Sequence, residues 1–89
     1  MLSEKIKIIN HLGLHARAAA KFVSTSTQFE STIKISKDER EVDGKSIMSV
    51  MMLAASCGST VGVSCNGSDE AEALKAIKEL INDRFGEDQ

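Results

Sequence analysis

The chain has 89 residues, 42% of them hydrophobic and 27% charged, which predicts one ordinary globular domain over residues 1–89 and argues against a disordered tail. A net charge of −2 and a pI of about 5.6 argue against a general nucleic-acid or anionic-membrane binder. No apolar run approaches the roughly 20 residues of a membrane-spanning helix.

In chain order, "EKIKIIN" alternates Lys5, Ile6, Lys7 and Ile8, the period of a half-buried strand. This start has no signal-peptide core, so the cytoplasm is the expected location. After "HLGLH" the period changes. From Ala16 to about Thr27, Ala19, Phe22, Val23 and Ser26 recur at helical spacing. "STIKIS" alternates again, "KDER" is a polar turn, and "EVDG" is a short return strand. Ser46 is suited to cap the helix that follows in "KSIMSVMMLAASCG", with Gly58 expected at its end. "TVGVSC" alternates Val61, Val63 and Cys65 against polar or small residues. Asp69, Glu70 and Glu72 fall in the first turns of a last helix, where negative charge is favoured; Leu74, Ile77, Leu80 and Ile81 form its apolar stripe.

The predicted order is βαββαβα. Alternating strands imply a sheet with one wet face and one covered face. The expected fold class is therefore α+β: a two-layer open-faced sandwich, with a four-stranded antiparallel sheet and three helices on one face. Cys57 and Cys65 form no CxxC, and two free thiols are the simplest reading. Ile47, Met48, Val50, Met51, Met52 and Leu53 make the middle helix apolar nearly all round. Such a helix is either deeply buried or presents an adaptable docking patch.

"NHLGLHARAAAKF" carries the chemistry. With a helix starting at Ala16, His15 sits at its N-cap, beside N–H groups that have no internal partner. Those groups and the helix dipole favour an anion, and Arg17 adds a planar cation that matches phosphate oxygens. A positive helix end disfavours imidazolium, and the reference value for histidine is about 6.5. A largely neutral ring keeps one nitrogen lone pair for attack. Gly13 permits a sharp turn before it. The competing readings are a plain surface histidine and a metal ligand. The second is disfavoured because His11 and His15 precede the helix, and no cofactor or metal is expected.

"LGLHARAAAKF" followed by "GKSIMSVMMLAA" resembles the HPr family, the histidine-containing phosphocarriers of the bacterial phosphotransferase system, over nearly the whole chain. The resemblance implies that His15 accepts phosphate on Nδ1 from phosphorylated enzyme I and passes it to enzyme IIA domains for sugar uptake, with Arg17 as its partner arginine. Such a carrier has no independent turnover and is expected to be a monomer. Ser46 matches the family's regulatory serine, the target of HPr kinase/phosphorylase. A phosphate there would add about −1.5 to −2 charges beside a positive helix end. Ile47, Met48 and Met51 are the expected docking residues for both partners. Where the family usually has H-A-R-P, this chain has Ala18 and no proline; alanine keeps the helix and returns an N–H donor to the anion site. Two alternatives stand: a carrier in a regulatory nitrogen or carbon branch, and an acylphosphatase-like hydrolase using Arg17 and Asn10.

Overall fold

A computed structural model describes residues 1–88. Its elements are β1 (Leu2–Lys7), α1 (Ala16–Ser26), β2 (Thr32–Lys37), β3 (Arg40–Asp43), α2 (Ile47–Met52), β4 (Thr60–Asn66) and α3 (Glu70–Asn82), followed by a 3-10 turn at Arg84–Gly86. The strands form one antiparallel sheet in the order β1-β4-β2-β3. This is the predicted open-faced sandwich. No described helix is long and apolar enough to cross a membrane.

Strand alternation decides which side is covered. Ile6, Ile33, Ile35, Val61, Val63 and Cys65 all turn inward and are buried. The register sets Ile6 opposite Val61, and Ile35 opposite both Val63 and Val42, so the apolar side chains meet as cross-strand pairs. Ala18, Ala19 and Phe22 of α1, Val50 of α2, and Ala73, Ile77 and Ile81 of α3 close the core. Leu74 and Leu80 flank it, only partly buried, so the fully buried α3 stripe runs along Ala73, Ile77 and Ile81.

One expectation is corrected, and two long-range ties add to the picture. The middle helix ends at Met52, not near Gly58. Ala54 takes a left-handed φ of 51°, and Arg40 and Lys37 donate to the carbonyls of Met52 and Ala54, so side chains from the β2–β3 hairpin close the helix end early. Asp69 is the N-cap of α3, but its carboxylate does not cap that helix. It accepts instead from the N–H groups of Glu30 and Ser31 and from the Ser31 hydroxyl, tying the α1–β2 loop to the α3 start. Finally, the chain beyond α3 packs back on the core. Phe85 is fully buried at a φ of 55°, and the carbonyl of Phe85 accepts from Lys21 Nζ at 2.6 Å. The C-terminal segment is thereby fastened to α1. Both cysteines are free, Cys57 exposed and Cys65 buried.

Candidate functional site

The site is assembled by the loop between β1 and α1. Gly13 has a φ of 68°, a conformation that glycine adopts without steric cost. Its N–H donates to the Asn10 carbonyl, and the Leu14 N–H donates to the Ala55 carbonyl at 2.8 Å. Leu14 is buried. These contacts deliver His15 to the N-cap of α1 in extended conformation, and its carbonyl accepts the first helical bond, from Ala19. The His15 ring does not cap the helix. The N–H groups of Ala16, Arg17 and Ala18 are the helix's free donors at that end.

The ring turns to the C-terminal segment. Its Nε2 lies 2.5 Å from Oε2 of Glu87. The other carboxylate oxygen, Oε1, accepts from Asn10 Nδ2 at 3.1 Å, and the same Nδ2 donates to the Gly13 carbonyl at 2.8 Å. Asn10 is fully buried, so Glu87 is held from two sides. Burial raises the Glu87 carboxyl, but the hydrogen bonds from His15 and Asn10 and the charges of His15 and Lys21 outweigh it, so its ordinary value is lowered. An ionised carboxylate can only accept, which assigns the proton to Nε2. In the neutral ring Nδ1 then holds the lone pair.

Arg17 is the second residue of α1. It is exposed and makes no ion pair among the described residues, so its guanidinium is uncommitted beside the helix end. Ala18, the position where the resembling family usually has proline, is fully buried against the core. His11 is exposed and has no hydrogen-bond partner among the described residues. No group of three or more metal-ligating side chains gathers among the described residues.

Ser46 is the N-cap of α2, as expected. Its Oγ accepts from the Ser49 N–H at 3.3 Å, a long bond of modest worth. Ile47, Met48, Met51 and Met52 are exposed, Met48 at 72%, whereas Val50 and Leu53 are buried. Of the two readings of this helix, the exposed patch is the one realised, with Met52 as an additional member. The helix packs on α1, so the patch and the His15 helix share the covered layer of the sandwich.

Glu87 was not singled out by sequence reasoning. It lies 72 residues from His15 among three nearby acids of a polar terminus, with no pattern to distinguish it. The one available signal was Phe85, an aromatic residue after the last helix that needs somewhere to be buried. Asn10, a candidate only under the hydrolase alternative, has its amide nitrogen committed to Gly13 and Glu87.

Comparison with known proteins identifies the family. A family model described as the PTS HPr component phosphorylation site matches residues 2–83. A phosphocarrier protein HPr of Neisseria meningitidis is 52% identical over 87 residues, 98% of either chain. A crystal structure of HPr from Thermoanaerobacter tengcongensis superposes with a TM-score of 0.96 at 47% identity, covering 100% of both chains. A dimer of HPr from the same organism superposes at 0.79 with 48% identity, over 98% of this chain and 100% of that one.

Proposed function

Because the chain belongs to the HPr family of phosphotransferase-system phosphocarriers, we propose that His15 is the residue that carries the phosphoryl group, accepting it from phosphorylated enzyme I and passing it to enzyme IIA domains. The observation that carries this reading is the N-cap position of His15, whose ring is turned away from capping and held at Nε2. Nδ1 is the nucleophile. A phosphoryl group arriving there brings negative charge to a helix start with free N–H donors, where the dipole favours it. Arg17 supplies a guanidinium fork for its oxygens. These groups hold charge that exists only once phosphate is present, which is the condition for them to assist transfer rather than resting binding.

Docking is through Ile47, Met48 and Met51. A carrier must release each partner quickly, and a small apolar patch with a polar border suits a brief encounter. Phosphorylation of Ser46 by a kinase of the HPr kinase/phosphorylase type would add a hydrated dianion next to this patch and slow the exchange. The protein acts as a monomer in the cytoplasm, without cofactor or metal.

The deciding experiment incubates the purified protein with enzyme I and phosphoenolpyruvate. One equivalent of acid-labile, base-stable phosphate on His15 is expected, transferable to an enzyme IIA domain. Label on His11, or continued release of inorganic phosphate with many turnovers, would overturn the carrier reading in favour of another site or a hydrolase.

A further inference from the structure

We propose that Glu87 is a positioning residue for phosphoryl transfer, keeping a proton on His15 Nε2 both when Nδ1 attacks and when Nδ1 gives the phosphoryl group up. This rests on the carrier reading of His15 and concerns the chemistry of the same ring.

The geometry is a relay of three residues from two distant parts of the chain, the β1–α1 loop and the C-terminal segment. Asn10 Nδ2 donates to Glu87 Oε1, and Glu87 Oε2 accepts from His15 Nε2. Asn10 is itself fixed by its bond to the Gly13 carbonyl. Both atoms facing Nδ2 are acceptors, so the amide orientation is determined by the network. The carboxylate is largely screened from water, its side chain 13% exposed against 29% for His15. Phe85 anchors the segment two residues earlier. The arrangement has the logic of an acid that orients an imidazole without reacting itself.

The electron accounting gives the carboxylate a part in each direction. On acceptance, the Nδ1 lone pair forms a bond to phosphorus while the bond from phosphorus to the donor breaks and its electron pair leaves with the donor. The ring then has phosphorus on Nδ1 and hydrogen on Nε2. It carries a positive charge, which faces the Glu87 carboxylate. On donation, the Nδ1–P bond breaks, its electron pair returns to Nδ1, and the ring departs as neutral imidazole. If the Nε2 proton were lost before that step, the leaving group would be imidazolate, far more basic and far slower to depart. By stabilising Nε2–H in the phosphorylated ring, Glu87 extends the pH range over which the phosphoryl group remains transferable.

The titratable or charged groups on the segments that carry or adjoin this pair are His11 in the β1–α1 loop, Arg17 and Lys21 on α1, Asp83, Arg84 and Asp88 in the C-terminal segment, and Cys57 in the loop before β4. Lys21 is the one whose charge acts on Glu87, and it favours the carboxylate form. That leaves Glu87 as the group that controls the Nε2 proton.

The test compares the full-length wild type with Glu87→Gln and Glu87→Asp. Glutamine keeps the shape but presents either a donor or an acceptor to Nε2, so it does not enforce the proton there. In the unphosphorylated proteins, ring 15N NMR should give a protonated Nε2 and a bare Nδ1 in wild type, and averaged signals in Glu87→Gln. The phosphorylated forms, made with phosphoramidate as the phosphoryl donor, are followed by 31P NMR as the phosphate is lost to water across pH. Loss to water expels the same leaving group as transfer to a partner. In Glu87→Gln the alkaline fall in rate should begin at lower pH, giving about ten-fold slower loss on that limb, the equivalent of one charge-assisted hydrogen bond. Glu87→Asp should recover part of the difference. Backbone amide spectra verify that each variant is folded. Identical ring 15N shifts and superimposable pH profiles in wild type and Glu87→Gln would overturn the proposal. Failure of wild-type His15 to take up phosphate from enzyme I would overturn the carrier reading instead, and the ring 15N comparison would still decide whether Glu87 fixes the proton.

Discussion

Gly13 lies so close to Ala55 that a Cβ at position 13 would sit 2.5 Å from the Ala55 carbonyl oxygen, the same oxygen that accepts the Leu14 N–H. The loop before α1 and the loop after α2 are thus in backbone contact two residues from His15. Gly13 also has a left-handed φ of 68°, so both conformation and space exclude a side chain. Gly13→Ala is expected to cost about 2–4 kcal/mol, from left-handed strain plus overpacking against backbone. It should also displace His15. Urea denaturation measures the first and the rate of phosphoryl acceptance the second. A variant as stable and as active as wild type would show that this approach is not needed.

His15→Ala should abolish acceptance of phosphate from enzyme I with the fold intact, because the ring is only partly buried and its loss opens no core cavity. Arg17→Ala should accept phosphate more slowly, by about 10–100-fold, since the helix amides remain as donors. Rapid-quench assays of transfer measure both. Equal rates for Arg17→Ala and wild type would remove the guanidinium from the site.

Met48→Asp should weaken association with enzyme I and enzyme IIA by about ten-fold or more, as expected for a central apolar contact. Stability should change by no more than about 0.5 kcal/mol, because the side chain is already in water. Val50, two residues on, on the opposite side of the same helix and fully buried, is the internal control: Val50→Ala should lower the melting temperature and leave docking largely alone. A large fall in melting temperature for Met48→Asp would assign Met48 to the core.

Ser46→Asp should slow transfer to His15 without rearranging the backbone, and Ser46→Ala should not slow it. The cap bond is long, so Ser46→Ala is expected to cost only about 0.5–1 kcal/mol. Repeating the transfer assay at low and high ionic strength separates two causes. Inhibition that shrinks with salt indicates repulsion of the partner at a distance, and inhibition that persists indicates desolvation of the new charge on contact. Unchanged transfer in both Ser46→Asp and the phosphoserine form would exclude regulation through this residue.

Stability should fall in acid below the ordinary carboxylate range. Asp69 is lowered from its ordinary 3.8, by the Ser31 hydroxyl first and by the Glu30 N–H next. Glu87 is lowered from 4.5 as described. A carboxyl group lowered by folding contributes stability that is present above its unfolded value and lost as pH falls through its folded one. Chemical denaturation between pH 7 and pH 2 should therefore be flat near neutrality, with loss beginning near these ordinary values and deepening beneath them. Asp69→Asn should flatten the acid limb. An acid limb of equal steepness in Asp69→Asn would mean that the Ser31 and Glu30 contacts do not hold in solution.

The sheet, the helix order and the place of His15 were legible because each is a local signal. Ile33 and Ile35 announce a strand by alternating with Lys34, and Ser46 announces a helix by standing before an apolar run. The end of α2 was not legible, because it is made by Lys37 and Arg40 from another hairpin. Neither was the exposure of Met48, since an all-apolar helix has the same pattern whether buried or displayed. Asp69 reads as a charge for the α3 dipole and is also an acceptor for a loop some 38 residues away. Glu87 illustrates the same limit: its importance to His15 is a distance in space, and nothing in "FGEDQ" encodes it.

The strand order has a kinetic consequence. β4 is the last strand in sequence yet pairs with both β1 and β2, whereas β2–β3 is, among the described residues, the sheet's sole hairpin between consecutive strands. Before β4 docks, the chain can form that hairpin and little else of the sheet, and an isolated hairpin is marginal in water. Loop closure must therefore be met before most pairing energy is gained, which assigns the chain to the slower folders among small domains, on the order of milliseconds to seconds. The two loops that meet at Gly13 and Ala55 precede α1 and β4, and the second is not held at both ends until β4 seats. A half-folded chain consequently has the histidine and the helix that follows it, but not the backbone seam that aims one at the other.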